Sequence, residues 1–204
     1  MFQVLRTTKF DHWLSGLKDR VGQKLIAARL DRLSQGHWGD CKAVADDVTE
    51  LRIHSGPGYR VYCWREGASV VVALGGGDKS SQASDIAAAE AMVVILMEGP
   101  MNPQAAGKLG IAPYDSADYL KSADDCVLYL QACLQEAPED AAFIARAIGT
   151  VARARGMMQL SRDTGISREG LYKALGDQAN PTFATVLKVL HALGLQMDVR
   201  PASG

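Results

Sequence analysis

The spacing of apolar residues changes character once along this chain, near residue 97. On the N-terminal side, apolar and polar residues alternate through 47–53 and again through 59–65, a pattern typical of half-buried β-strands. On the C-terminal side, apolar residues recur every three or four positions, as on the buried face of an amphipathic helix. The sequence therefore predicts an α+β part followed by an all-α part.

The segment 97–113, MEGPMNPQAAGKLGIAP, separates the two patterns. It holds six Gly or Pro residues and shows neither a helical nor a strand period, which indicates a linker. We therefore divide the chain into domains 1–96 and 114–204, with a loop inside one domain as the alternative. Exposed linkers are preferred cleavage sites, so proteolysis within 97–113 is a candidate way to separate the two domains.

The N-terminal domain is expected to have the element order β-α-α-β-β-β-α. Its strands and helices are predicted, in that order, at 3–6, 9–18, 21–33, 47–53, 59–65, 69–74 and 84–96. Strands that follow one another through short Gly-rich turns pair as hairpins. This part of the chain thus predicts a compact antiparallel sheet with helices.

The C-terminal domain is predicted to be helical. Its helices are expected at 116–136, 141–155, 158–163, 168–175 and from residue 180 to Gly194. Asn180 and Pro181 suit a helix cap and a first helical position, and Gly194 suits a helix end. Residues 195–200 are a candidate edge strand.

Composition narrows the classes of function. The net charge of −1 argues against a protein that coats nucleic acid, so any nucleic-acid contact must be local. No stretch approaches the 18 or so uncharged apolar residues of a membrane span, and the first residues lack a signal-peptide core, so a soluble cytoplasmic protein is expected. The four cysteines form no C-x-x-C pair and the four histidines are scattered, which predicts neither a metal site nor a cofactor.

Several basic side chains of the N-terminal domain are predicted to share one face of the sheet. Alternation places Arg52 and His54 on one side of their strand, and Arg60 and Tyr62 on the same side of the next. We expect this face to lie opposite the helices, with Lys79 delivered to its rim by the glycine run at 75–77.

Such a cluster suits a phosphodiester. Guanidinium and ammonium groups hold phosphate oxygens, while an imidazole moves a proton near neutral pH. In RNA the neighbouring 2′-hydroxyl is itself a nucleophile, so no metal is needed. The alternative is that these residues are ordinary solvent-facing side chains of a half-buried sheet. The run GGGDKS at 75–80 lacks the spacing of a phosphate-binding P-loop, which argues against nucleotide binding.

The segment 158–175 has the spacing of a helix-turn-helix. Gly165 stands where the turn needs a residue without Cβ, and Ser167 suits the cap of the second helix. The predicted DNA contacts on the outward side of that helix are Ser167, Arg168, Glu169, Tyr172 and Lys173. A helical hairpin that only packs against a partner is the alternative.

The N-terminal part resembles the addiction-module killer proteins of the RelE/HigB superfamily. The resemblance spans nearly all of 1–96 and rests on runs such as FDHWL, RLDRL, GDCK, ELRI, GPGYRVY and GGGDKS. It implies a ribosome-dependent mRNA endonuclease. By that resemblance the catalytic residues are Arg52, His54, Arg60 and Lys79, and the RNA-binding residues are Lys42, Tyr59 and Tyr62. RelE toxins carry a tyrosine shortly after the last basic position, whereas 81–91 has none, so His54 or Tyr62 would have to serve as the acid or base.

The C-terminal part, from about Tyr114 to Leu195, resembles the HigA-type helix-turn-helix antitoxins. The matching runs include ARARG, SREGLYKAL and NPTFATVLKVL. Antitoxins of this kind bind their toxin and repress their own operon. Gly170 departs from the family, which usually has a polar residue there, and a glycine inside a helix costs about 1 kcal/mol, so weakened DNA binding is expected.

Together the two resemblances predict a toxin–antitoxin fusion. The toxin domain would act without a metal on mRNA at the ribosome, and the antitoxin domain would inhibit it through an intramolecular or domain-exchanged contact. The antitoxin domain would also bind operator DNA, as a homodimer. The main alternative is a transcriptional regulator whose toxin-like domain is catalytically dead and serves dimerisation or corepression. In a third reading the fusion is artificial, and Met97 or Met101 begins a separate antitoxin.

Overall fold

The computed structural model describes residues 1–97, 103–176 and 180–198. The chain folds as two compact units, Met1–Ser116 and Ala117–Gly204. The first is built on a β-sheet and the second is mostly helical, which confirms the predicted sequence of an α+β part and a helical part.

The first unit contains six strands and four helices within its described residues. They are β1 (Gln3–Arg6), α1 (Thr8–Gly16), α2 (Arg20–Ser34), β2 (Cys41–Ala45), β3 (Val48–Ile53), β4 (Tyr59–Glu66), β5 (Val70–Gly77), α3 (Gln82–Met97), α4 (Pro103–Leu109) and β6 (Ala112–Pro113). The strand order across the sheet is β2-β3-β4-β5-β1-β6. Neighbouring strands are antiparallel except β1 and β5, which are parallel, so the predicted purely antiparallel sheet was wrong in this one pairing.

Helices cover both faces of this sheet. Trp13 of α1 packs so closely on β5 that a Cβ at Gly76 would collide with its ring. On the other face, α3 packs against an apolar cluster that includes Tyr62, Trp64 and Leu74. The prediction that the face carrying Arg52, Arg60 and Tyr62 lies opposite the helices was therefore wrong. Alternation assigns a side chain to a face, but it does not say which helix covers that face.

The end of the first unit is more regular than the sequence suggests. Residues 103–113 were expected to belong to an irregular linker, yet they form α4 and β6. The short strand β6 pairs antiparallel with β1, where Leu5 faces Pro113 and Arg6 faces Ala112. The expected absence of regular structure here was wrong, because the outer edge of β1 needs hydrogen-bond partners that a local pattern does not reveal. Residues 98–102 of the predicted linker lie outside the described residues.

The second unit contains five α-helices within its described residues. They are α5 (Ala123–Glu136), α6 (Ala141–Arg155), α7 (Met157–Thr164), α8 (Arg168–Leu175) and α9 (Phe183–Ala192). The predicted helix 116–136 is interrupted: a 3₁₀ turn at Ser116–Tyr119 precedes α5, which begins at the capping box of Ser122 and Asp125. Helix α9 starts later than predicted, since Thr182 is its cap. Residues 195–198 form no strand, and the rest of the predicted edge strand lies outside the described residues.

Helices α6, α7, α8 and α9 form the core of the second unit. Its buried residues are Ile148, Ala152, Met157, Leu160, Leu171, Leu175, Val189 and Leu190. Gly149 in α6 allows α8 to approach closely, because a Cβ there would lie 2.5 Å from the carbonyl oxygen of Leu175. This contact fixes the position of α8, the second helix of the predicted helix-turn-helix.

The longest helix is α3, with 16 residues. A membrane-spanning helix needs about 20 predominantly apolar residues. Across 1–97, 103–176 and 180–198, no helix combines the length and apolar character that crossing a bilayer requires.

Candidate functional site

The pairing of β3 with β4 places Arg52 directly opposite Arg60. In an antiparallel pair, directly opposed residues project their side chains to the same face. Glu50 lies two residues before Arg52 and opposite Tyr62, so it shares that face as well. This is the face covered further along by α3. The geometry therefore gathers a carboxylate and two guanidinium groups beside the N-terminal end of α3.

Glu50 is fully buried and is the centre of this group. The Nε atom of Arg52 donates to its Oε1 at 3.0 Å, and Nε2 of Gln82 donates to its Oε2 at 2.6 Å. The Nε atom of Arg60 lies 3.4 Å from Oε2, an ion pair that lacks hydrogen-bond geometry. We call Glu50, Arg52, Arg60 and Gln82 the Glu50 cluster. A buried carboxylate is tolerated only when it is paired in this way.

The two arginines of the Glu50 cluster connect it to the surface. The side chain of Arg52 is 31% exposed and that of Arg60 is 15% exposed. Arg60 is also held by its own turn, since its Nη1 donates to the carbonyl oxygen of Gly58 at 2.7 Å. The hydrogen bond to Glu50 raises the pKa of Arg52 above its usual value. The cluster thus presents two fixed guanidinium groups at the edge of a buried negative charge.

The two predicted tyrosine contacts lie elsewhere. Tyr62 is fully buried under α3, with its hydroxyl beside the carboxylate of Glu50. Burial, followed by the nearby charges of Glu50 and Asp85, raises the pKa of Tyr62 well above its usual value. Tyr59 projects to the opposite face, where its hydroxyl donates to Asp19 at 3.1 Å and its ring meets Trp13 edge-on. Neither tyrosine is placed to contact RNA, because both are needed to fill the core.

His54 lies at the rim of the group, directly after β3. Its side chain is 75% exposed, and its Nε2 lies 2.5 Å from Oδ2 of Asp40. This hydrogen bond is the main cause that lowers the pKa of Asp40, and the charges of Arg52 and Arg29 contribute further. An imidazole oriented by a carboxylate is a common arrangement for proton transfer. His54 was predicted as a site residue from the sequence, whereas Asp40 was not.

The two predicted lysines are exposed at other positions of the same sheet. Lys42 lies on the edge strand β2, directly opposite Glu50. Lys79 lies in the turn after β5, two residues beyond Gly77, which pairs with Arg60. The turn is organised by Asp78, which accepts from the backbone N–H of Ser80 at 2.7 Å. Hydrogen bonds from Ser80 lower the pKa of Asp78.

The sequence analysis also missed the two residues that organise the arginines. Glu50 occupies the same alternating face as Arg52, and this signal was present in the sequence. Gln82 carries no such signal, because its bond to Glu50 depends on how α3 crosses the sheet. With two arginines and one glutamate, the Glu50 cluster has a formal charge of +1, which suits binding of a phosphodiester.

A second candidate surface lies in the second unit, where α7 and α8 form a helix-turn-helix. Gly165 ends α7 in the left-handed conformation, at φ 65°. The hydroxyl of Ser161 donates to the carbonyl oxygen of Ile166 at 2.7 Å, which ties the turn to α7. The predicted cap is present, because Ser167 Oγ accepts from the backbone N–H of Gly170 at 3.0 Å.

Helix α8 has one buried and one exposed face. Leu171 and Leu175 are buried in the core of the second unit. The predicted DNA contacts all lie on exposed positions, namely Ser167, Arg168, Glu169, Tyr172 and Lys173. The unusual Gly170 packs against the turn, since a Cβ there would come 3.0 Å from Cγ2 of Ile166. The glycine therefore has a packing reason beside its cost in helix stability.

Comparison with known proteins bears on this second surface. Residues 110–201 match the family model described as probable addiction module antidote protein. Two proteins of Haemophilus influenzae, both described only as uncharacterized, are also similar. One is 53% identical over 87 residues, which is 43% of this chain and 88% of that protein. The other is 48% identical over 84 residues, which is 41% of this chain and 85% of that protein.

The chain belongs to the addiction module antidote family through its C-terminal region. We call residues 110–201 the antidote region. It contains all five helices described in the second unit, together with β6 and the end of the first unit. No solved structure matches the chain. The family supports the predicted antitoxin role and a toxin as the partner of this region.

Proposed function

We propose that the chain is a toxin–antitoxin fusion. In this proposal the first unit is a RelE/HigB-type endoribonuclease that cuts mRNA at the ribosome without a metal. The antidote region holds it inactive and also represses its own operon. Two features support the proposal: membership of the antidote family, which implies a toxin partner, and the Glu50 cluster in the same chain.

The Glu50 cluster is the observation that carries the toxin half of the proposal. Arg52 and Arg60 bind the oxygens of the scissile phosphate and stabilise the charge that builds up at phosphorus. Lys42 and Lys79 attract the flanking phosphates from exposed positions. The carboxylate of Glu50 keeps the two guanidinium groups in one orientation, which limits reorganisation during the reaction.

His54 supplies the proton transfer in this mechanism. Asp40 occupies Nε2, so Nδ1 remains for the substrate. The 2′-oxygen of the RNA forms a bond to phosphorus while its proton passes to Nδ1. The bond from phosphorus to the 5′-oxygen breaks, and the leaving oxygen takes a proton from water, after which the imidazolium returns its proton to the solvent. The products are a 2′,3′-cyclic phosphate and a 5′-hydroxyl, so the reaction needs neither a metal nor a redox partner.

The toxin half is tested by producing residues 1–116 and the full chain separately in bacterial cells. We expect 1–116 to arrest growth and to cleave mRNA in a cell-free translation reaction, whereas the full chain does neither. The variant Arg60→Ala should remove both effects. Arg65→Ala is a matched control, because Arg65 lies on the same strand and bonds to its own turn at Gly67. Normal growth and intact mRNA with 1–116 would refute the toxin proposal.

The repressor half rests on the exposed face of α8. Arg168 is placed to read a base in the major groove, and Lys173 to bind a phosphate. We infer a homodimer on DNA, because a single helix-turn-helix reads only one half-site. A gel-shift assay with the region upstream of its own gene should show salt-sensitive binding by the full chain. Absence of such binding at low salt would refute this half alone.

A catalytically inactive toxin-like unit is the second candidate. The burial of Tyr62 favours it, because it leaves His54 as the one exposed residue of the two predicted to serve as acid or base. In that case the chain is a transcriptional regulator, and the first unit serves dimerisation or corepression. The two experiments above separate the candidates. Operator binding together with harmless production of 1–116 supports the regulator.

A further inference from the structure

The antidote family match and the boundary between the two units do not coincide. The match begins at residue 110, whereas the first unit extends to Ser116. Seven residues, 110–116, therefore belong to the antidote region by sequence and to the first unit by structure. We call them the shared segment. This overlap identifies the part of the antidote region that is built into the sheet of the first unit.

The backbone of the shared segment extends that sheet by one strand. Ala112 and Pro113 form β6, which pairs antiparallel with β1. The backbone N–H of Tyr114 donates to the carbonyl oxygen of Val4 at 3.0 Å. At the other end, the hydroxyl of Thr8 donates to the carbonyl oxygen of Gly110 at 3.4 Å. These bonds occupy the outer edge of β1, the only side of β1 that β5 leaves open within the described sheet.

Side chains of the shared segment pack into the same unit. Ile111 packs against the apolar cluster between α3 and the sheet. The ring of Tyr114 meets Phe10 edge-on, with 6.3 Å between the ring centroids. Ser116 is fully buried, and its hydroxyl donates to the Tyr114 hydroxyl at 3.0 Å. The segment is thus held by main-chain pairing and by side chains that enter a core on either side of it.

Gly110 shows that this approach is close. Its φ of 59° lies in the left-handed region, which turns the chain from α4 into β6. A Cβ at this position would also collide with the hydroxyl of Thr8, the first residue of α1. The turn and the contact both require a residue without a side chain, so the first residue of the antidote match is fitted to the first unit.

We propose that the shared segment is the docking element of the antidote region. It binds the toxin-like unit by adding a strand to the open edge of β1, with Ile111 and Tyr114 as its anchoring side chains. Strand addition gives affinity through main-chain hydrogen bonds and specificity through the side chains that enter pockets. The inference rests on the proposed toxin–antitoxin function and names the surface through which the two parts recognise each other.

In this arrangement, cutting the covalent chain between the two parts does not by itself remove the contact between them. A cut within residues 98–102 would break the chain between α3 and α4, but it would leave β6 paired with β1. The two fragments would then be held together by the shared segment, and Leu109 at the end of α4 would add an apolar contact to the same cluster as Ile111. Release of the toxin-like unit requires the loss of residues 103–116, and a single cut after α3 does not achieve it.

The test begins from the full chain with a specific protease site placed in residues 98–102. After complete cleavage, the two fragments are separated by size-exclusion chromatography, and their dissociation constant is measured by dilution. We expect the fragments of the parent protein to elute together as a one-to-one complex. The variant Ile111→Asp/Tyr114→Ala should weaken the complex by about 100-fold, because it removes one buried apolar contact and one ring contact.

Controls keep the test decisive. Lys108→Ala, on the exposed surface of α4, should leave the complex unchanged. The uncut Ile111→Asp/Tyr114→Ala chain must keep the circular dichroism of the parent; if it does not, Tyr114→Ala alone is used and should weaken the complex by about 10-fold. Separation of the parent fragments, or an unchanged complex in the variants, would overturn the proposal. Because none of these readouts involves RNA, a harmless toxin-like unit would refute the proposed function while leaving this result intact.

Discussion

Removing both arginines from the Glu50 cluster should destabilise the first unit strongly. In the variant Arg52→Ala/Arg60→Ala, the fully buried carboxylate of Glu50 keeps the hydrogen bond from Gln82 but loses both guanidinium partners. Leaving a buried charge without its partner costs about 3–5 kcal/mol, so we expect a loss of about 4 kcal/mol in the free energy of unfolding at pH 7.5. Removing the carboxylate of Glu50 from the parent protein should lower the free energy of unfolding by less, because both arginine side chains reach solvent.

Tryptophan fluorescence during urea unfolding measures this loss selectively. All three tryptophans, Trp13, Trp38 and Trp64, lie within Met1–Ser116, so their emission reports the first unit. Adding Glu50→Gln to the double variant should restore about 2 kcal/mol, because the buried group is then neutral.

One result would refute this reasoning. Equal stability of the double variant and the triple variant would show that the charge of Glu50 is not what the arginines compensate.

Three further outcomes are expected. Gly149→Val should lower the stability of the second unit by about 2 kcal/mol in thermal circular dichroism, because the valine side chain would meet the Leu175 carbonyl oxygen. Gly107→Ala should have little effect, because no atom lies within 4 Å of the added Cβ. Asp40→Asn should lower about 10-fold the rate at which residues 1–116 cleave RNA, without changing KM, since it misorients His54 but leaves the arginines in place. A change in KM alone would contradict this role of Asp40. Lys173→Ala should reduce the salt dependence of operator binding by a slope of about 0.9, measured by titration at several salt concentrations, and an unchanged slope would remove Lys173 from the interface.

Much of the fold follows from local patterns. Alternation identified β3 and β4, apolar periodicity identified α1, α2 and the helices of the second unit, and an alanine-rich composition identified α3. The strands that were missed or left undefined, β2 and β6, are edge strands of five and two residues. An edge strand is stabilised on one side only, and β6 depends on β1, more than a hundred residues earlier in the chain. No pattern within a short window carries that information.

At some helix ends, the capping chemistry of a few neighbouring residues is enough to predict where the helix begins. Ser167 was predicted as the cap of α8 and is its cap, because a hydroxyl three residues before a free N–H is a local signal. The start of α9 was predicted at Asn180 and Pro181, but Thr182 competes with the same chemistry and begins the helix two residues later. Asn180 and Thr182, two residues apart, both suit the role of the cap, and the sequence alone does not rank them.

Those features of the Glu50 cluster that follow from the alternation of side chains along a strand could be predicted from the sequence. Arg52 and Arg60 were placed on one face, and β3–β4 pairing brings them opposite each other. Tyr62 was assigned to the same face correctly, but its burial depends on α3, which is apolar around most of its circumference. The pairing of Glu50 with both arginines was missed because candidate residues were chosen by positive charge, whereas a buried carboxylate decides how those charges are held.

The short strand β6 has a consequence for the solubility of the first unit. A fragment that ends before residue 103 lacks β6 and leaves the outer edge of β1 with unpaired backbone groups. Open strand edges promote pairing between molecules and aggregation. A first unit without the shared segment is therefore prone to self-association, which limits how long free monomer persists at high concentration. Ala112 and Pro113, which extend the sheet as β6, therefore also help to keep the isolated first unit monomeric in solution.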